Sequence, residues 1–123
     1  MTEQIMKEFK ELPEQISTKA IELHELSKVI ANDQELVKNI ELEVEQQVTD
    51  ETIEVEGKVK SKFSNPAKRS VETKTRLATN KEYESLSNTI DDNKDKQAFG
   101  MIEASKLRRQ FIVDEVLLRL TKA

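Results

Sequence analysis

The sequence predicts an all-α protein: a long antiparallel helical hairpin, a coiled coil, with a small tip compatible with a short β-hairpin. Three observations lead there. Phe9, Ile16, Leu23, Ile30, Val37 and Val44 recur every seven residues, a seam that only another helix can cover. A second periodic stretch sets Tyr83, Leu86, Ile90, Ala104, Leu107, Phe111 and Leu118 on one face. Finally, 36% of the 123 residues are charged and 4% aromatic, with two glycines and two prolines, a composition that suits long helices and leaves few places to turn. Residues 1–123 read as a single helical domain, with N-terminal helices over 2–49, a basic tip over 50–79 and a C-terminal helix over 80–121.

The first ladder carries a second set of rungs at Ile5, Leu12, Lys19, Leu26, Asp33, Ile40 and Gln47. Polar Lys19, Asp33 and Gln47 at such positions weaken a coiled coil while marking its register. Pro13 lacks an N–H and clashes with the preceding turn, so it should start a new helix or kink an existing one, and a short helix over about 2–11 and a long one over about 13–49 are expected. From Thr49 the character changes. Ile53, Val55 and Val59 alternate with Thr52, Glu54, Glu56, Lys58 and Lys60 around Gly57, a pattern that fits a two-stranded hairpin and equally a frayed continuation of the first helix. Asn65-Pro66 has the form of a helix start, predicting a helix over 66–78, and Asn80 is a suitable cap for the last helix. Within that helix Asn93, Gln97 and Gly100 break the apolar face, and Ala98, Phe99, Met101 and Ile102 predict a sideways phase change. Setting Leu86 against Ile40 brings Asn93 near Asp33, Ala104 near Leu23 and Phe111 near Ile16, so the polar layers coincide.

Near the C-terminus the apolar residues Phe111, Ile112, Val113, Val116, Leu117, Leu118 and Leu120 cover more than one helical face. Leaving several large side chains exposed costs about 1.5–3 kcal/mol each. Phe111, Ile112, Val113, Val116, Leu117 and Leu120 are therefore expected to form a homo-oligomer interface, the other cover being Ile5, Met6 and Phe9 of the N-terminal helix.

With no cysteine, the chain has no disulfide, thiolate nucleophile or Cys-ligated metal. No stretch approaches the roughly 20 apolar residues of a membrane span, and Met1-Thr2-Glu3-Gln4 lacks a signal sequence, so no membrane association and a cytoplasmic location are expected. His24 follows Leu23 on the ladder and should face solvent. Asp91-Asp92-Asn93-Lys94-Asp95 has the spacing of the start of a calcium loop, but Lys96 replaces its glycine and Ile102 its glutamate. Glu41 with Glu45, and Asp91 with Asp95, have no histidine partners for a di-metal site. No phosphate-cradling glycine loop or nucleophile–histidine pair occurs. No catalytic residue, metal or cofactor is expected, and no enzymatic activity.

Charge is uneven. Residues 1–57 hold 5 basic and 15 acidic side chains, residues 58–76 hold 7 basic and 1 acidic, and the rest balance at 8 and 8. Lys58, Lys60, Lys62, Lys68, Arg69, Lys74 and Arg76 therefore make a basic tip suited to phosphates, and Phe63 could stack on a base. The alternative is that this tip pairs with acidic side chains of its own chain or a partner.

The segment from Gly57 to Arg69, with its aromatic-Ser-Asn at Phe63-Ser64-Asn65 and its Lys68-Arg69 pair, is followed by Arg76-Leu77-Ala78 and Tyr83. Over about 57–120 the chain resembles small coiled-coil proteins encoded by bacteriophages and prophages of Gram-positive bacteria. Pro66 departs from that pattern, in which an acidic residue is usual. The resemblance implies a helical hairpin, a phage origin and the cytoplasm of a bacterial host; it brings no catalytic residues. Three roles are compatible with these features: an accessory protein whose tip meets nucleic acid or replication and recombination machinery, an inhibitor of a host or phage protein acting through Glu41, Glu43, Glu45, Asp50 and Glu51, and a structural scaffold.

Overall fold

In the computed structural model, which describes residues 2–122, the order is α1 (Thr2–Asp50), β1 (Thr52–Val55), β2 (Lys58–Ser61), α2 (Pro66–Thr79) and α3 (Lys81–Lys122). Helices dominate, as the heptads require, and the alternating segment is a β-hairpin. The chain divides into two compact units, residues 1–30 with 93–123, and residues 31–92. No described helix is long and apolar enough to cross a membrane.

In the first unit the two helices run antiparallel. Phe9 stacks on Phe111 with ring centroids 4.6 Å apart and planes 8° from parallel. Lys19 reaches Glu22 at 3.2 Å and Glu103 at 3.6 Å, Gln97 Nε2 donates to Ser27 Oγ at 2.6 Å, and Leu12, Ile30 and Ala104 are buried. Lys19 thus serves as a register marker: its ammonium is held in the charged form, mainly by Glu22, with Glu103 adding to the effect.

Three expectations are corrected here. α1 does not break at Pro13, which lies inside the continuous helix; Leu12 is buried and Phe9 stacked across the unit, and this packing offsets the roughly 3 kcal/mol cost of an internal proline. Nor is there a phase change near Gly100. Asn93, Gln97, Gly100, Ala104, Leu107, Phe111, Asp114 and Leu118 all turn inward at alternating spacings of four and three, while Phe99, Met101 and Ile102 stay exposed. The register is displaced as well: Leu23 lies against Gly100 rather than Ala104, and Phe111 meets Phe9 rather than Ile16.

In the second unit Val44, Val48 and Ile90 are buried. Gln47, expected on the seam, is exposed, and Val48 takes the inward position; a step of four after Val44 keeps a nearly straight 3.6-residue helix facing its core. β1 and β2 pair antiparallel, with Ile53 opposite Lys60 and Val55 opposite Lys58. The turn between them places Glu56 at φ 53° and Gly57 at φ 76°, two successive left-handed residues as a type I′ hairpin turn demands. α2 begins where Asn65 Oδ1 accepts the Ala67 N–H at 2.8 Å, with Pro66 in the first turn. Asn80 closes α2 through its N–H to the Leu77 carbonyl and opens α3 by accepting the Tyr83 N–H on Oδ1 at 2.9 Å.

Candidate nucleic-acid interface

The tip is organised by Glu51, the residue between α1 and β1. Its backbone carbonyl accepts the Lys62 N–H at 2.8 Å, closing the base of the hairpin. One carboxylate oxygen pairs with Lys62 Nζ at 3.1 Å and the other accepts from Arg76 Nη2 of α2. The Arg76 guanidinium, and then the Lys62 ammonium, hold the Glu51 carboxyl below the usual range for a glutamate. Arg76 also bonds Glu72 through Nε at 2.9 Å, and these two carboxylates keep its guanidinium charged.

Beneath this cluster lies Phe63, half-buried, with Lys62 Nζ 5.3 Å and Arg76 Cζ 5.9 Å from its ring centroid. Arg69 folds back to donate from Nη1 to the carbonyls of Phe63 at 2.9 Å and Ser64 at 3.0 Å. Two acids, two cations and one aromatic ring therefore tie the hairpin to α2, the arrangement in which charge-assisted bonds and cation–π contacts support each other.

The eight residues expected to meet nucleic acid accordingly divide. Lys62, Phe63, Arg69 and Arg76 build the tip; the half-buried Phe63 ring has Lys62 and Arg76 beside it and also borders a shallow apolar cleft. Lys58, Lys60, Lys68 and Lys74 are exposed and have no acidic partner among the described residues. Lys58 and Lys60 share one face of the hairpin with Val55 and Ile53, because directly opposed residues project to the same side. Lys68 borders a shallow apolar cleft with Phe63, Ala67 and Val71. Lys74 borders a second cleft with Pro66, Arg69 and Glu45.

Comparison of the chain with protein-family models, curated proteins and solved structures finds no match. Its chemistry is therefore read from its own side chains. Among the described residues no three His, Asp or Glu side chains gather as a metal site would need. Asp91, Asp92 and Asp95 lie exposed on continuous helix, and His24 is exposed. Of the acidic set on and after α1, Glu41 accepts from Tyr83 Oη at 3.1 Å and Glu51 is occupied as described, whereas Glu43, Glu45 and Asp50 are exposed. Burial, and then the bond to Glu41, push the Tyr83 hydroxyl up.

Sequence reading missed the hub role of Glu51, which it counted only as one more acid of the helix. No local pattern could have revealed it, since Glu51 and Arg76 are 25 residues apart and only the fold of hairpin and α2 brings them together.

Proposed function

We propose that this is a non-enzymatic, phage-type accessory protein of the bacterial cytoplasm, whose basic tip holds the phosphate backbone of nucleic acid. The observation that supports this reading is the division of the tip's charges. Glu51 and Glu72 are engaged by Lys62 and Arg76, which leaves Lys58, Lys60, Lys68 and Lys74 exposed without an ion pair among the described residues, against exposed Glu54 and Glu56 on the hairpin. A rigid platform spares the ordering cost that flexible lysines otherwise incur on binding. Recognition by these lysines is through backbone charge and is independent of sequence. The inhibitor reading is weaker, because Glu41 and Glu51 are engaged within the chain.

Fluorescence anisotropy with a short DNA duplex and a single strand tests this. Neutralising about four phosphates, the wild type should lose roughly 100-fold in affinity between about 50 and 200 mM salt. The quadruple variant K58S/K60S/K68S/K74S should lose binding with helicity unchanged. Absence of wild-type binding at low salt would reject the proposal.

A further inference from the structure

A second heptad stripe runs along α3, outside the first unit's seam. Phe99, Ile102, Val113, Val116 and Leu120 are 65%, 55%, 47%, 48% and 68% exposed. With Lys106 and Arg109 between them they repeat at spacings of three and four, the period of a coiled-coil seam. Each position precedes its inward counterpart by one or two residues, about 100° or 200° around the helix, which sets the stripe outside the seam, with Phe99 at its edge bordering a cleft with Lys19 and Leu23. Ile112 and Leu117, 58% and 38% exposed, widen it near the C-terminus. At about 1.5 Å per residue the stripe is roughly 30 Å long, enough for one partner helix of similar length. Scattered apolar residues on a surface need no explanation, but apolar residues repeated in heptad register mark a protein-binding face.

The two central positions decide the occupant. Lys106 and Arg109 are exposed, and neither forms an ion pair among the described residues. Glu103, the acid one turn from Lys106, is instead bridged by Lys19 from across the unit. A second copy laid along the whole stripe brings like charges together in either direction. Parallel packing sets Lys106 on Lys106 and Arg109 on Arg109; antiparallel packing, with Phe99 opposite Val116 and Ile102 opposite Val113, sets Lys106 on Arg109 twice. Slipping an antiparallel copy by one heptad exchanges Leu120 for Phe99 as the uncovered end and sets Lys106 against Val116 and Arg109 against Val113, so both cations still lack an acid. We infer that the stripe receives an amphipathic helix of a different protein, apolar at its flanking layers and acidic at the two central ones. Such a helix covers every layer and pairs both cations. Selection by charge at otherwise apolar layers is how helices specify their partners.

Two synthetic helical peptides test this at concentrations where each is monomeric. Both carry Ile and Leu at the apolar layers; one has Glu and the other Lys at the two central layers. Anisotropy titration should show micromolar binding of the Glu peptide and roughly 10- to 100-fold weaker binding of the Lys peptide. Lys106→Glu with Arg109→Glu should reverse that preference, and Val113→Glu with Val116→Glu should abolish binding of both, with unchanged circular dichroism in every variant. The tip variant K58S/K60S/K68S/K74S should keep the peptide preference, so this result is separable from nucleic-acid binding. Failure of the Glu peptide to bind, equal binding of the two peptides, or a preference unmoved by the charge reversal would overturn the inference. So would a wild-type oligomer in sedimentation equilibrium that Val113→Glu with Val116→Glu converts to monomer, because a second copy would then be the occupant.

Discussion

Gly100→Ala provides a test of the close approach between α1 and α3 in the first unit. Gly100 is buried, and a Cβ built on it falls 2.7 Å from Leu23 Cδ2 and 3.7 Å from Leu23 Cγ, where ordinary contact between carbons is about 3.5–4.0 Å. Buried Ala104 follows one turn later, a second small residue on the inward face of α3. Helix propensity alone favours Ala over Gly by about 0.8–1 kcal/mol. Overpacking opposes it by about 1–3 kcal/mol. The net expectation is a loss of about 0–2 kcal/mol, a sign opposite to that of the same change on a solvent-facing helix position. A double-mutant cycle with Leu23→Ala isolates the clash. In the Leu23→Ala background Gly100→Ala should stabilise by about 1 kcal/mol, giving a coupling of about 1–3 kcal/mol. Urea denaturation followed by circular dichroism at four corners of the cycle measures it. A coupling below about 0.5 kcal/mol, or full stabilisation by Gly100→Ala alone, would show that Gly100 is not required for the approach.

Two further outcomes are expected. Asp114 is 1% exposed; its Oδ1 accepts from Gln110 at 2.9 Å, while Oδ2 lacks a donor among the described residues unless Glu8, which lies beside it, carries a proton. The hydrogen bond to Asp114, then burial and repulsion, raise the Glu8 carboxyl above its usual 4.5. A raised folded-state value means stability that is present below the unfolded value and lost as pH climbs through the folded one, so the contact should weaken above about pH 4.5. Asp114→Asn can donate to an ionised Glu8 and should gain stability relative to wild type as pH rises; parallel melting curves of the two proteins at any pH above the acid range would show the pair to be inert. At the hairpin turn, Glu56 holds φ 53° at some steric cost to a residue with a long side chain. Glu56→Asn, the residue favoured before glycine in this turn, should slow amide exchange in β1 and β2 by about 0.5–1 kcal/mol of local stability; unchanged exchange would mean the turn is unstrained.

Periodicity and caps made most of the elements legible, because these are properties of neighbours in the chain. The sevenfold ladder from Phe9 to Val44 gave a helix, Asn65-Pro66 and Asn80 marked helix ends, and alternation around Gly57 fitted the hairpin and a frayed helix equally. Each signal acts within a turn or two of helix or across one tight turn. The basic character of the tip was likewise visible, since charge is additive along a sequence.

What tertiary structure decided lies where distant segments compete for the same space or charge. Pro13 stays in helix because packing around Leu12 and Phe9 outweighs its local cost, and Gly100 joins the seam because Leu23 needs its missing side chain. The same holds for the lysines of the tip: which of them remain free depends on Glu51 meeting Arg76, and no local pattern records a meeting across 25 residues. The sequence by itself determined the helices and the sign of the charge; only the fold determined which side chains were spent holding it together and which remained for a partner, because pairing energies depend on distances that the chain acquires on folding.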